Sequence, residues 1–168
     1  ALRGNFATLD NEGRIIDRRA GRKIERDDAE KISKEIENEI KFSNPDTSVV
    51  VAPTIGHRII VRLRDSKHLS SEITNTDPAY TRVDGMGIAK AVSDFMRIEK
   101  CIPMEQTEDA SNTAKLVNEF TEQSLEIMKK SDVNKQRAQK NKKLLNSILL
   151  RDAGNKYPNV KPINELHA

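Results

Sequence analysis

Tryptophan is absent from the chain and aromatic residues make up only 4% of it. Isoleucine, valine, leucine and alanine must therefore fill the interior. A single cysteine, Cys101, excludes an internal disulfide and fits a reducing cytoplasm. Its Glu99-Lys100-Cys101-Ile102-Pro103 setting offers no partner base, so an ordinary thiol is expected rather than a nucleophile. The three histidines, His57, His68 and His167, do not stand at metal-ligand spacing with one another or with carboxylates. No run is long and apolar enough to cross a bilayer, and no signal peptide precedes the first charged residues. Neither a Gly-x-Ser-x-Gly elbow nor a dinucleotide fingerprint occurs. Gly85-Met86-Gly87 has no third glycine and no P-loop lysine, so it reads as a turn ahead of a helical pattern (Ala89, Val92, Phe95, Met96). There are 29 basic and 26 acidic residues, a net charge of +3, too nearly neutral to mark a nucleic-acid protein.

What is present is arginine, concentrated near the amino end. The 168 residues are enough for one domain with its own core, 36% hydrophobic and 33% charged. Two apolar segments, Phe6 to Leu9 and Ile15 to Ile16, flank Asp10-Asn11-Glu12-Gly13, the chemistry of a hairpin loop. Arg3 lies on one side of that hairpin; Arg18, Arg19 and Arg22 follow the other, with Gly21 between them. Guanidiniums present forks of donors that match carboxylate and phosphate oxygens two at a time. The cluster suits a small, multiply charged anion. The plainer alternative is a solvated hairpin whose arginines pair with carboxylates elsewhere in the chain.

Acid in the first turn starts a helix at Asp27-Asp28-Ala29-Glu30, and Ala29, Ile32, Ile36 and Ile40 carry its apolar face to Ser43. Ser48 to Ala52 reads as a buried strand. His57 to Arg64 alternates, with Ile59, Val61 and Leu63 on one face and Arg58, Ile60, Arg62 and Arg64 on the other. His57 and Arg58, beside Gly56, are the better ligand candidates there; Arg62 and Arg64 suit a solvated face. Asp65 to Asp84 is polar and irregular, a loop length that signals either function or disorder. Thr107 caps the longest helix, expected through Lys129. Asn134 to Lys143 is almost wholly polar and is expected to be a solvated helix, since it is short and has no aromatics to stack bases. Leu144 to Leu150 ends in a buried strand delivering Arg151 to a glycine turn, a common position for a ligand contact in α/β folds. The tail from Asn155, with Pro158 and Pro162, reads as a surface segment or linker. Anion-binding arginines without a nucleophile, an acid/base pair or a metal site describe part of an enzyme better than a whole one.

Arg3-Gly-Asn-Phe-Ala-Thr-Leu-Asp10 with Gly13-Arg-Ile-Ile-Asp-Arg-Arg-Ala-Gly-Arg22 resembles the signature of archaeal-type phosphoglycerate mutases, the class independent of 2,3-bisphosphoglycerate. Glu72 to Pro78, Leu116 to Phe120 and Ile148 to Gly154 resemble further motifs in the family's order; Ala79 stands where the family often has histidine. The resemblance covers most of the chain and implies the inserted substrate-binding domain of an alkaline-phosphatase-superfamily enzyme. It implies an α/β domain (α+β as the alternative) with a mixed β-sheet covered by helices. It also implies a cytoplasmic isomerase of glycolysis and gluconeogenesis, interconverting 3- and 2-phosphoglycerate through a phosphoserine in a separate phosphatase-like domain. Arg3, Arg18, Arg19 and Arg22 would clamp the substrate, with Arg58, Asp77 and Arg151 as lesser candidates; Asp17 would orient an arginine. This domain would bind no cofactor, and divalent manganese, zinc or magnesium would sit in the other domain. Its partners would be phosphoglycerate and the phosphatase-like domain, with neither nucleic acid nor membrane; a homo-oligomer stays compatible. The alternatives are another phosphomutase or phosphatase of the superfamily, or a stand-alone anion- or RNA-binding module.

Overall fold

The computed structural model describes residues 1–83, 86–91 and 96–156. β1 (Leu2–Leu9) and β2 (Ile15–Asp17) form the opening hairpin. The Asp10 carboxylate accepts from the Glu12 and Arg14 amides at 2.9 and 2.8 Å, and Gly13 takes a φ of 77°. Then come α1 (Arg26–Glu39), β3 (Ser48–Pro53), β4 (Arg58–Arg64) and a small hairpin of β5 (Tyr80–Val83) and β6 (Met86–Ala89). α2 (Glu108–Lys130), α3 (Asp132–Gln139) and β7 (Ser147–Arg151) complete the order.

β1 is the centre of the main sheet. It pairs with β4 along one edge and β7 along the other, while β3 flanks β4 and β2 pairs with the end of β1. The α/β organisation in one domain is as expected. The sheet was expected to be mixed, but every described pairing is antiparallel. The difference matters to the site, because an antiparallel sheet can leave one face to solvent whereas parallel strands need both covered.

The covered face carries Leu2, Phe6, Ile59, Val61, Leu63, Ile148 and Leu150, buried in one cluster with Ile32 and Ile36 of α1 and Val117 and Phe120 of α2. Each such aliphatic side chain contributes about 1.5–3 kcal/mol on leaving water. Gly4 sits where strands crowd: a Cβ there would meet Ile59 Cγ1 at 2.7 Å. The alternation in β4 is as the sequence dictates, with Ile59, Val61 and Leu63 buried and Arg58, Arg62 and Arg64 exposed.

Other elements depart from expectation for identifiable reasons. α1 ends at Glu39 rather than Ser43, because the backbone beyond it turns to side chains of α2. Lys41 exchanges two hydrogen bonds with the Gln123 amide, and Ser43 gives two to Glu119. β3 is an edge strand with only Val51 buried, its amide held by Glu37 Oε1 at 2.7 Å. Met86 to Ala89 is a strand rather than a turn entering a helix; Val92 and Phe95 lie outside the described residues, as does most of the tail after Asn155. α2 is capped by Thr107, whose hydroxyl accepts from the Ala110 amide. α3 is not a solvated helix. Asn134 is buried and bonded to Met128 O and to both the N–H and C=O of Leu145. Arg137, 2% exposed, is held by Glu25 and Asp28.

Candidate anion-binding site

The site is built on the sheet face opposite the helices, where the β4 arginines are exposed while Asn5, Ala7 and Leu149 of β1 and β7 are buried. Residues opposite one another in antiparallel strands project to the same side. Arg3 lies opposite Arg151 of β7, and Asn5 opposite Arg58 of β4. The loop after β2 brings the remaining cations. Asp17 accepts from the Arg19 and Gly21 amides at 2.8 and 3.0 Å, while Ala20, Gly21 and Arg22 all take positive φ. Such a run is costly for residues with a Cβ and persists only where surrounding bonds enforce it. Asp17 thus shapes the loop through its backbone rather than by orienting a guanidinium. The turn before β4 is seated on this loop: Gly56 has a φ of 60°, and a Cβ there would meet Arg22 O at 2.8 Å. His57 is fixed by its carbonyl, which accepts from the Phe6 amide at 2.8 Å.

These segments converge on one cavity of about 310 Å³ whose wall includes Arg3, Arg18, Arg19, Arg22, Arg58 and Arg151. Asn5, His57 and Tyr80 complete it. Of the seven residues singled out in the sequence, six arginines share this wall. The seventh, Asp77, lies beneath it with no exposed surface. Both its oxygens accept from Arg18 Nη2 at 2.9 Å, and Arg151 Nε lies 4.0 Å away. The loop carrying Asp77 is ordered by β7. Leu150 O accepts from the Thr76 and Asp77 amides, Thr76 Oγ1 accepts from Leu150 N, and Asn75 Oδ1 accepts from Asp152 N.

The wall is electrostatically uneven. Arg18 is compensated by Asp77, and Arg3 and Arg151 by Asp152, each at 3.3 Å. Arg19, Arg22 and Arg58 have no carboxylate partner among the described residues. Their influence is felt at His57, whose pKa is pushed below its ordinary value by burial first, then by Arg19, Arg58 and Arg22, with Asp17 opposing. Its imidazole is therefore neutral near pH 7. Arg3 and Arg18 thus pair with carboxylates, as the plainer reading of the hairpin expects, whereas Arg19 and Arg22 do not among the described residues.

Among the described residues no group of three or more His, Cys, Asp or Glu is placed to hold a metal ion. Cys101 is 2% exposed, donates to Thr74 O, and is pushed up by burial to about 11, so it is no nucleophile. The cavity lies at the small end of the range for ligand pockets. Its size and its guanidinium wall suit a compact anion with several acidic oxygens. Asn5 and Tyr80 escaped sequence reasoning. Asn5 stands two residues from Arg3 on one strand, so strand alternation alone could have placed it on the arginine face. Tyr80 follows an irregular loop, where nothing local indicates direction.

A family model described as 2,3-bisphosphoglycerate-independent phosphoglycerate mutase matches residues 1–134. Among curated proteins, the 2,3-bisphosphoglycerate-independent phosphoglycerate mutase of Aeropyrum pernix is 37% identical over 165 residues, covering 96% of this chain and 38% of the relative. That of Saccharolobus islandicus is 32% identical, covering 100% of this chain and 37% of its own length. The chain thus spans a little over a third of the relatives it matches. Among solved structures, the cofactor-independent phosphoglycerate mutase from Thermoplasma acidophilum superposes with a TM-score of 0.72 at 26% identity, over 92% of this chain and 36% of that one.

Proposed function

Because the chain belongs to the 2,3-bisphosphoglycerate-independent phosphoglycerate mutase family, we propose that it is the substrate-binding domain of such a mutase. In this reading the intact polypeptide interconverts 3-phosphoglycerate and 2-phosphoglycerate, with the phosphoryl group passing through a serine outside this domain. The observation that carries it is the cavity of about 310 Å³ walled by six guanidiniums, three of them without a carboxylate partner among the described residues. A phosphoglycerate brings a carboxylate and a phosphoryl dianion within a few bonds of each other, and fixed guanidiniums match both.

The task of these residues is retention and orientation. While the phosphoryl group is elsewhere, the glycerate must stay bound and present its other hydroxyl, so its carboxylate must be held from this side. Guanidiniums already in position stabilise charge as it redistributes, without the reorganisation that water would require. Divalent manganese, zinc or magnesium would supply Lewis acidity from ligands outside this domain. The pairing of β1 with β7 supports a domain set into a larger one: residues 1 and 154 exchange backbone hydrogen bonds, so the segments bounding the sheet lie side by side.

Calorimetric titration of the chain tests this. 3-Phosphoglycerate is expected to bind saturably, more weakly as salt rises, and about tenfold or more tighter than inorganic phosphate, since a second charged group is engaged. Equal affinity for the two would overturn the clamp. Mutase turnover by the chain alone, with or without added manganese, would overturn the division of labour.

A further inference from the structure

We propose that Tyr80 is a positioning residue for this reaction, its ring the surface against which Arg18 and Arg151 are held so that both face one anion. The inference deepens the reading above and rests on it. The Arg18 Cζ lies 5.3 Å from the Tyr80 centroid and that of Arg151 4.1 Å. Both guanidiniums also lie within 4.0 Å of Asp77 Oδ2, so the two like charges are gathered at one point. The π face of a tyrosine attracts both and lets them share a wall.

The carboxylate underneath is not sufficient for the task. Asp77 holds Arg18 through one nitrogen, Nη2, and stands 4.0 Å from Arg151 Nε. The Nε atoms of Arg18 and Arg151 are both buried without a hydrogen-bond partner. A guanidinium fixed along one edge can still swivel; a stacked ring sets its plane. The backbone that carries the ring is held from two directions. The Tyr80 carbonyl accepts from Asn75 Nδ2 at 3.2 Å, and its amide donates to Asp77 O at 3.3 Å. Tyr80 also opens β5, and on the partner strand Gly87 is pressed on Asp152, whose Oδ1 leaves no room for a Cβ there. Asp152 is the carboxylate that Arg3 and Arg151 share. The β5–β6 hairpin therefore carries the ring at one end and abuts the acid at the other.

Two substitutions in the chain test this: Tyr80→Phe, which keeps the ring, and Tyr80→Leu, which removes the π face at similar bulk. By calorimetry Tyr80→Phe should bind 3-phosphoglycerate within about threefold of the unsubstituted chain, and Tyr80→Leu about tenfold more weakly, the size of a partly desolvated cation–π contact. Nitrogen-resolved NMR adds a readout that needs no ligand. The Nε–H signals of Arg18 and Arg151 should be ring-current shifted and slow to exchange in the unsubstituted chain and in Tyr80→Phe, and should lose both properties in Tyr80→Leu. Equal losses in the two variants would overturn the proposal, and so would an unshifted pair in the unsubstituted chain, a readout that stands even where Tyr80→Leu fails to fold. Shifted signals without any 3-phosphoglycerate binding would instead overturn the proposed function and leave the stacking intact.

Discussion

Arginine is used in two opposite ways in this fold. Between α1 and α3, Arg137 is 2% exposed and surrounded by what it needs: Asp28 at 2.7 Å, Glu25 at 3.1 Å and Lys143 O at 2.8 Å. Lys142 also reaches Glu25, at 2.5 Å. In the cavity beside β1, six guanidiniums share a wall and, among the described residues, have two carboxylates, Asp77 and Asp152, as partners. One region spends its charge on holding helices together. The other keeps charge in reserve, and the reserve is what a bound anion would meet. A guanidinium count cannot separate the two; the count of acids within reach can.

The largest expected effect breaks the first region. Arg137→Met strands Asp28 and the Lys143 carbonyl, and should lower unfolding free energy by about 2–3 kcal/mol in denaturant melts. Affinity for 3-phosphoglycerate per folded molecule should be unchanged. Breaking the second region should do the reverse. Arg58→Ala or Arg22→Ala removes a cation from a like-charged wall, so stability should hold or rise slightly. Binding of 3-phosphoglycerate should fall about tenfold or more by calorimetry, the scale of a charge-assisted hydrogen bond. Loss of stability together with binding in those variants would erase the distinction.

The smallest effect is in pH. Lys142, then its own backbone amide, with Arg137 adding less, holds the Glu25 carboxyl down to about 2 from 4.5. That support is complete above pH 4.5 and fades only as pH falls toward 2. His57 is depressed below 6.5, so the unfolded chain protonates there first, and its contribution to stability is lost as pH falls below 6.5. Proton NMR should find His57 titrating below 6.5 in the free chain, moving upward when 3-phosphoglycerate binds and, to a lesser degree, in Arg58→Ala. A native value at or above 6.5 would contradict both the burial of His57 and the cations beside it, and a value unmoved in Arg58→Ala would deny the cations their part.

Legibility in the sequence followed how local each cause is. The alternation in β4, the Thr107 cap and the Asp10–Gly13 turn are set by neighbouring residues and could be read directly. So could the cavity's arginines, since their clustering near Gly21 and their positions beside glycines are sequence features. α3 was misread because its composition is polar, whereas Asn134 and Arg137 are buried by partners more than a hundred residues away in the case of Glu25 and Asp28. The end of α1 was misplaced for the same reason: Gln123 and Glu119, on α2, claim the backbone that would have continued the helix. Tyr80 was missed because its importance comes only from lying between side chains that enter from positions 18 and 151.

The members of the arginine wall come from β1, the loop after β2, the start of β4, the start of β5 and the end of β7, so the five arginines before residue 60 are joined by Tyr80 and Arg151 only when β5 and β7 are in place. Ligand affinity is then a property of the finished tertiary structure. Any anion that recognises it acts as a clasp across the ends of the sequence, drawing the equilibrium toward the fully assembled form by an amount set by its concentration relative to its dissociation constant.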